Sequence, residues 1–221
     1  MRLFFAAALA AAFVATPALA QERGSSVGVG VTAGSLGIGP EINWRSDSFG
    51  VRGSATFFKL SRGVDSDGIE YDGDLKLRSF GGSLDFYPGG GGFRVSGGAR
   101  VSKNRVTLFA QPGATTTVEV GDATYTGAQI GTLSGEVRAK KVAPTLTIGY
   151  GSGVGSGFSF GIDAGAMFQG SPRVRRLVAS GPIATNAAFQ TQLANERREI
   201  EDDIDNFKVY PILQLGLGYR F

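Results

Sequence analysis

The sequence contains no cysteine and no histidine. The first absence excludes a disulfide framework and any thiolate metal site. The second removes the usual general base near neutral pH and the commonest metal ligand. Carboxylates alone can run glycosidase-type chemistry, but that takes a close pair of acids. No tight Asp/Glu pair stands out on the segments read below as strands. Neither catalytic residues nor metal ligands nor a cofactor site are therefore expected, and the chain does not read as an enzyme. A charge bias is also missing: 22 Lys and Arg stand against 19 Asp and Glu. That balance gives no reason to expect nucleic acid as a partner. Beyond the first twenty residues no apolar run reaches the roughly 20 residues that a membrane-spanning helix needs.

What is present begins at the N-terminus. Met1 and Arg2 form a short basic start, and Leu3 to Val14 is an unbroken apolar run. Pro17-Ala18-Leu19-Ala20 then ends in the small-x-small pattern that signal peptidase accepts. Residues 1–20 are expected to be a cleaved signal peptide, leaving one domain over 21–221. Glycine is over-represented, with 35 in 221 residues, about twice the ordinary share of ~7%. These glycines lie inside alternating segments and not in a linker.

The alternation has period two and recurs in segments of about ten residues, the pattern of a transmembrane barrel. Counting back from the terminus, Phe221, Tyr219, Leu217, Leu215, Leu213, Pro211, Val209 and Phe207 share one face. Arg220, Gly218, Gly216, Gln214, Ile212, Tyr210 and Lys208 share the other. Similar segments run through Phe158 to Phe168, Val142 to Tyr150, Phe93 to Val101, Phe80 to Phe86, Phe49 to Phe57 and Val27 to Val31. In the segment after the first turn, Leu36, Ile38, Ile42 and Trp44 oppose Gly37, Gly39, Glu41 and Asn43. The expectation is an all-β, transmembrane, antiparallel up-and-down barrel of about eight strands.

Connections alternate in length. Those at Arg45 to Ser48, Pro88 to Gly92 and Gly151 to Gly157 are short, whereas Leu60 to Asp74, Leu108 to Ala139 and Ser171 to Asn206 read as long loops. Short turns belong on the periplasmic side and long loops outside. Trp44, Phe49, Phe86, Tyr87, Phe93, Tyr150, Phe158, Tyr219 and Phe221 then form a periplasmic aromatic girdle. Ala187 to Asn206, rich in Glu, Arg and Asp, reads as a short helix in the last extracellular loop.

If the apolar alternates face lipid, the polar ones face the lumen. This places Glu41, Asp85 and Asp163 inside with Arg52, Arg94, Arg100 and Arg220, as a mixed-sign charge network. Tyr219 and Phe221 are expected to form an assembly signal read by the outer-membrane insertion machinery. Outer-membrane lipid and lipopolysaccharide are the other expected partners, and the chain is expected to be a monomer. The acidic stretch Asp65 to Asp74 looks like a calcium loop but fails the EF-hand spacing, with Ile69 where an oxygen ligand belongs. It is read as a solvated loop.

Several motifs carry a family resemblance: Lys141-Val142-Ala143-Pro144, Gly170-Ser171-Pro172-Arg173-Val174, Val178-Ala179-Ser180-Gly181, and an acidic helix Asn195 to Asp205 leading to Tyr210-Pro211. The chain resembles the small outer-membrane barrels typified by the CarO-type ornithine-uptake porins, from about Val27 to the end. That resemblance implies an eight-stranded barrel and suggests passage of small basic amino acids. The terminal Phe221 departs from the Trp associated with the namesake. Two functions follow as expectations: a narrow porin, or a non-conducting structural or surface-interaction barrel acting through its loops.

Overall fold

A computed structural model describes residues 25–151 and 156–221. The expected signal peptide and the start of the mature chain lie outside these residues, as does most of the Gly151 to Gly157 turn.

Apolar residues alternating with Gly, Ser and Thr favour pleated backbone with one large and one small face. Five strands follow in order: β1 (Ser25–Gly34), β2 (Gly37–Ser46), β3 (Phe49–Ser66), β4 (Ile69–Phe86) and β5 (Phe93–Ser102). Next come β6 (Arg105–Pro112), β7 (Thr117–Val120), β8 (Ala123–Thr126), the helical turn α1 (Gly127–Ile130) and β9 (Leu133–Arg138). The chain ends with β10 (Val142–Gly151), β11 (Gly157–Phe168), β12 (Arg173–Ala179), helix α2 (Ala187–Asp203) and β13 (Val209–Arg220).

Eight strands close into a ring in the order β1, β2, β3, β4, β5, β10, β11, β13 and back to β1, every pairing antiparallel. The seam joins the two ends of the chain, from Gly28 opposite Arg220 to Gly34 opposite Gln214. Gly30 faces Gly218 there, and a Cβ on either would lie 2.5–2.6 Å from a backbone oxygen. The lower end of the barrel carries short turns, and the upper end carries the long connections together with the tight β1–β2 turn at Ser35-Leu36.

The barrel is apolar outside and polar inside. Phe158 is 86% exposed, whereas Thr56 and Ser79 are fully buried. Along β11 the outer belt from Phe158 to Phe168 climbs roughly 34 Å, or about 26 Å of height at a tilt near 40°.

The expected loop at Leu60 to Asp74 is instead strand. β3 and β4 stay paired up to Ser66 and Ile69 and turn at Asp67-Gly68, both with positive φ (53° and 73°), as two-residue hairpin turns require. The pairing of β4 with β5 ends at Ser79–Ser102, and β6 takes over from Lys76–Arg105 upward. β9 and β12 continue that wall, so the regions expected as loops contain β7, β8, β9, β12 and the upper part of β6. The result is a second storey above one side of the barrel.

At the boundary the two faces exchange polarity. Below it, Phe49, Val51, Ala55 and Phe57 of β3 point outward. Above it, Lys59, Ser61, Gly63 and Asp65 take the outward positions, and Phe58, Leu60 and Val64 the inward ones. β4 does the same: Leu77, Leu75 and Tyr71 turn inward, while Arg78, Lys76 and Asp74 turn outward. The lower storey thus turns its apolar side outward and the upper one its polar side, with Phe58, Leu60 and Val64 left exposed on the inward side.

Helix α2, in the place expected, ends at Asp203, and a 3-10 turn over Ile204–Lys208 leads into β13. The Asn186 side chain caps it, accepting from the backbone N–H of Ala188 and Phe189. Its Phe189 and Leu193 are buried with Val120 and Ile130 against Leu133 and Leu177 of the upper wall.

Two facing assignments need correction. Leu36, expected on the outer face, is buried over the lumen, because it sits in the β1–β2 turn where the strand parity no longer applies. Tyr87, expected in the girdle, is also buried: Phe86 takes the outward position and the next residue must point inward.

Candidate functional site

The lumen gathers the charged side chains. Arg52 of β3 spans it, donating from Nη1 to Asp163 of β11 at 2.5 Å and from Nη2 to Asp85 of β4 at 3.1 Å. Arg94 of β5 meets Asp163 in a two-point contact at 3.0 and 2.7 Å, the planar geometry that suits guanidinium and carboxylate. Ser96 accepts from Arg52 at 3.2 Å, and Ser83 donates to Asp85 at 3.1 Å. Four strands are thus tied across the interior by two acids and two arginines.

The other expected members sit differently. Arg100, predicted to find an acid, is held by hydroxyls: Ser79 at 3.0 Å, Ser54 at 2.9 Å and Thr56 at 3.3 Å. Arg220 lies at the lower end beside Tyr87 and Asn43, lining a cavity there. Glu41 points inward but has no ion-pair partner within 4.0 Å among the described residues. Its carboxylate, with Arg52 and Asp163, forms the partition between two small cavities.

The upper cavity is about 60 Å³, lined by Thr32, Ser54, Arg100, Thr147 and Gln214. The lower one is about 40 Å³. Each has room for a few waters, at about 10–15 Å³ apiece.

Both mouths are capped. Above, Leu36, Ala143, Met167 and Ile212 form a buried apolar layer, with Tyr210 packed on it. The β1–β2 turn is clamped over this layer, since Tyr210 Oη donates to Ser35 O at 2.6 Å and Ser35 N donates to Leu213 O at 2.9 Å. Below, Arg45 is buried, stacks 3.7 Å over the Tyr87 ring, and donates to the carbonyls of Asp47, Gly90 and Gly91. It ties two lower turns across the opening. Arg45 and Tyr87 escape a reading that assigns them to turn and girdle. The strict alternation from Trp44 and Phe86 is the signal that places both inside.

Tyr219 and Phe221, expected to signal assembly, lie on the outer face beside the seam. Their rings are 5.2 Å apart, and Tyr219 meets Phe158 edge-on at 5.7 Å. The N–H of Phe221 donates to Val27 O at 2.9 Å, so the last residue extends the closing ladder. The stretch Asp65 to Asp74 is a hairpin in which Asp65, Glu70, Asp72 and Asp74 all take the outward face, with Asp67 in the turn.

No known family profile and no curated protein sequence matches this chain. Solved structures do match, among them two from one organism. One is Acinetobacter baumannii CarO2, 21% identical, with a TM-score of 0.62, covering 89% of this chain and 98% of that one. The other is Acinetobacter baumannii CarO, 22% identical, with a TM-score of 0.58, covering 88% and 97%. This chain therefore shares the β-barrel fold of the CarO proteins over most of its length.

Proposed function

We propose that this chain is an outer-membrane barrel whose lumen is closed to solutes and whose upper storey forms its working surface outside the cell. The membrane placement is supported by the exchange of polarity at Phe57/Lys59 and Phe80/Arg78, because an apolar exterior of this extent needs a hydrocarbon surrounding. The closed lumen is carried by one observation: Arg52 bridges to Asp85 and Asp163 across the interior. Eight strands leave an interior that side chains just fill, and the capped mouths agree with that. Planar-bilayer recording of the purified protein tests the reading. No steady unitary current is expected, and large, stable openings would overturn it.

A second reading is a narrow conduit for small basic solutes, as the CarO resemblance suggests. Glu41 favours it, since an inward carboxylate without an ion-pair partner, flanked by two cavities, is what a cation-selective constriction would use. Under this reading, currents appear and Glu41→Gln reduces their preference for cations.

A further inference from the structure

The upper storey carries a row of like charges that its own fold does not need. Lys59 is directly opposite Lys76, Lys76 opposite Arg105, Arg105 opposite Arg138, and Arg138 opposite Arg173. Directly paired residues share a sheet face, so five cations line up across β3, β4, β6, β9 and β12. Lys59 and Lys76 have the parity of Phe57 and Phe80, which places the row on the outward face. Like charges directly opposite one another destabilise a sheet. Nothing in the packing of the storey offsets this, because its apolar face is the other one.

Acids answer the row only in part. Asp74 is 3.7 Å from Lys76, and Glu136 is 2.6 Å from Arg138 and 3.5 Å from Arg105. Glu201 of α2 is 3.0 Å from Arg173. Lys59, Arg78 and Lys103 have no acid at ion-pair distance among the described residues. Arg78 and Lys103 adjoin through a backbone hydrogen bond just below the row. Seven cations thus stand against three acids, an excess of four.

The level is narrow. Immediately below lie Phe57, Phe80 and Val101, the top of the apolar belt, and above lie Asp72, Glu70 and Asp65. The distribution is also one-sided. On the opposite wall the belt ends in Ala33, Ile38 and Phe207, and Lys208 there is paired with Asp205 at 2.6 Å.

We propose that this row is a docking surface for the phosphorylated sugar headgroup of a glycolipid of the outer leaflet, its acyl chains lying on the belt below. The inference rests on the outer-membrane reading. Exposed arginines and lysines at the hydrocarbon edge suit phosphate monoesters, which arginine can take at two points and lysine at one. The neutral surroundings of the opposite wall leave that side to ordinary lipid.

The test uses the full mature chain folded into phosphatidylcholine nanodiscs doped with bisphosphorylated or dephosphorylated lipid A, the retained glycolipid being counted by native mass spectrometry. The bisphosphorylated form is expected to be retained at least about tenfold better, as charge-assisted contacts require. Lys59→Gln/Lys76→Gln/Arg105→Gln is expected to abolish the difference, and Lys208→Gln to leave it intact. Should the triple variant not fold, Lys59→Gln alone, whose side chain lacks an acid partner, is expected to weaken retention. Equal retention of both lipids, retention that survives these substitutions, or displacement of lipid A by millimolar inorganic phosphate overturns the proposal. Failure of the wild-type chain to enter the discs at all is a separate result, and it overturns the membrane reading instead.

Discussion

At the scale of single residues, the interior depends on Asp163. It accepts four hydrogen bonds from two arginines, and no other acid of the lumen lies within ion-pair distance of Arg94 among the described residues. A buried arginine left without its counter-charge costs about 3–5 kcal/mol. Asp163→Ala is therefore expected to lose stability on that scale in a urea titration of vesicle-embedded protein. Glu41→Gln, which breaks no ion pair, is expected to lose much less. Equal, small losses for both would mean that water screens the network. Strand parity put seven charges inside, because parity tells which way a side chain points, but Arg45 at the lower mouth was read as turn. Height along the barrel was not legible. It depends on register, and register is why Arg100 meets Ser54, Thr56 and Ser79 while Arg52 takes both Asp85 and Asp163.

At the scale of elements, the eight barrel strands could be read because one face of each is apolar and the other small or polar. β10 shows the consequence. Leu146 points outward at mid-belt, opposite Gly97 on one side and Ala166 on the other, while Thr147 lines the upper cavity. Leu146→Arg is expected to cost about 2–4 kcal/mol in a lipid-vesicle unfolding titration, the range for a cation at the bilayer midplane. Thr147→Gln, facing the cavity, is expected to cost less, and the reverse order would refute the facing. The upper halves of β3 and β4 were missed for a physical reason. Their period of two persists through Phe58, Leu60 and Val64, but on the face that is polar lower down. Acids, glycines and a hairpin turn in the same stretch, Asp65 to Gly73, looked like a loop. The short strands β7 and β8 gave no signal at four residues each.

At the scale of the whole molecule, one wall carries two opposite polarities on its outward face, and its two storeys are held by different forces. The lower storey is closed by the ring of strands and its outward apolar belt. The upper one is an open sheet stabilised by the cluster around Val120, Ile130, Phe189 and Leu193 and by ion pairs on its surface. Those pairs make it sensitive to acid. The Arg138 hydrogen bond holds the Glu136 carboxyl below the ordinary range, and the Ser61 hydrogen bond does the same for Asp74. A carboxyl whose folded value is lowered adds stability above its unfolded value of about 4 and loses it as pH falls through the lowered folded value. The upper storey is therefore expected to loosen below about pH 4, where these acids take up protons and the cationic row loses its partial neutralisation. Hydrogen exchange, corrected for its intrinsic pH dependence, should then lose protection in Arg105–Pro112 and Leu133–Arg138 between pH 6 and pH 3. The strands of the barrel should keep theirs, because the belt owes nothing to these pairs. Glu136→Gln removes one carboxylate at every pH, so the variant should start looser at pH 6 and change less on acidification. Loss of protection that begins in the barrel strands, or a Glu136→Gln protein with the full wild-type pH response, would show that the storeys are not separately stabilised.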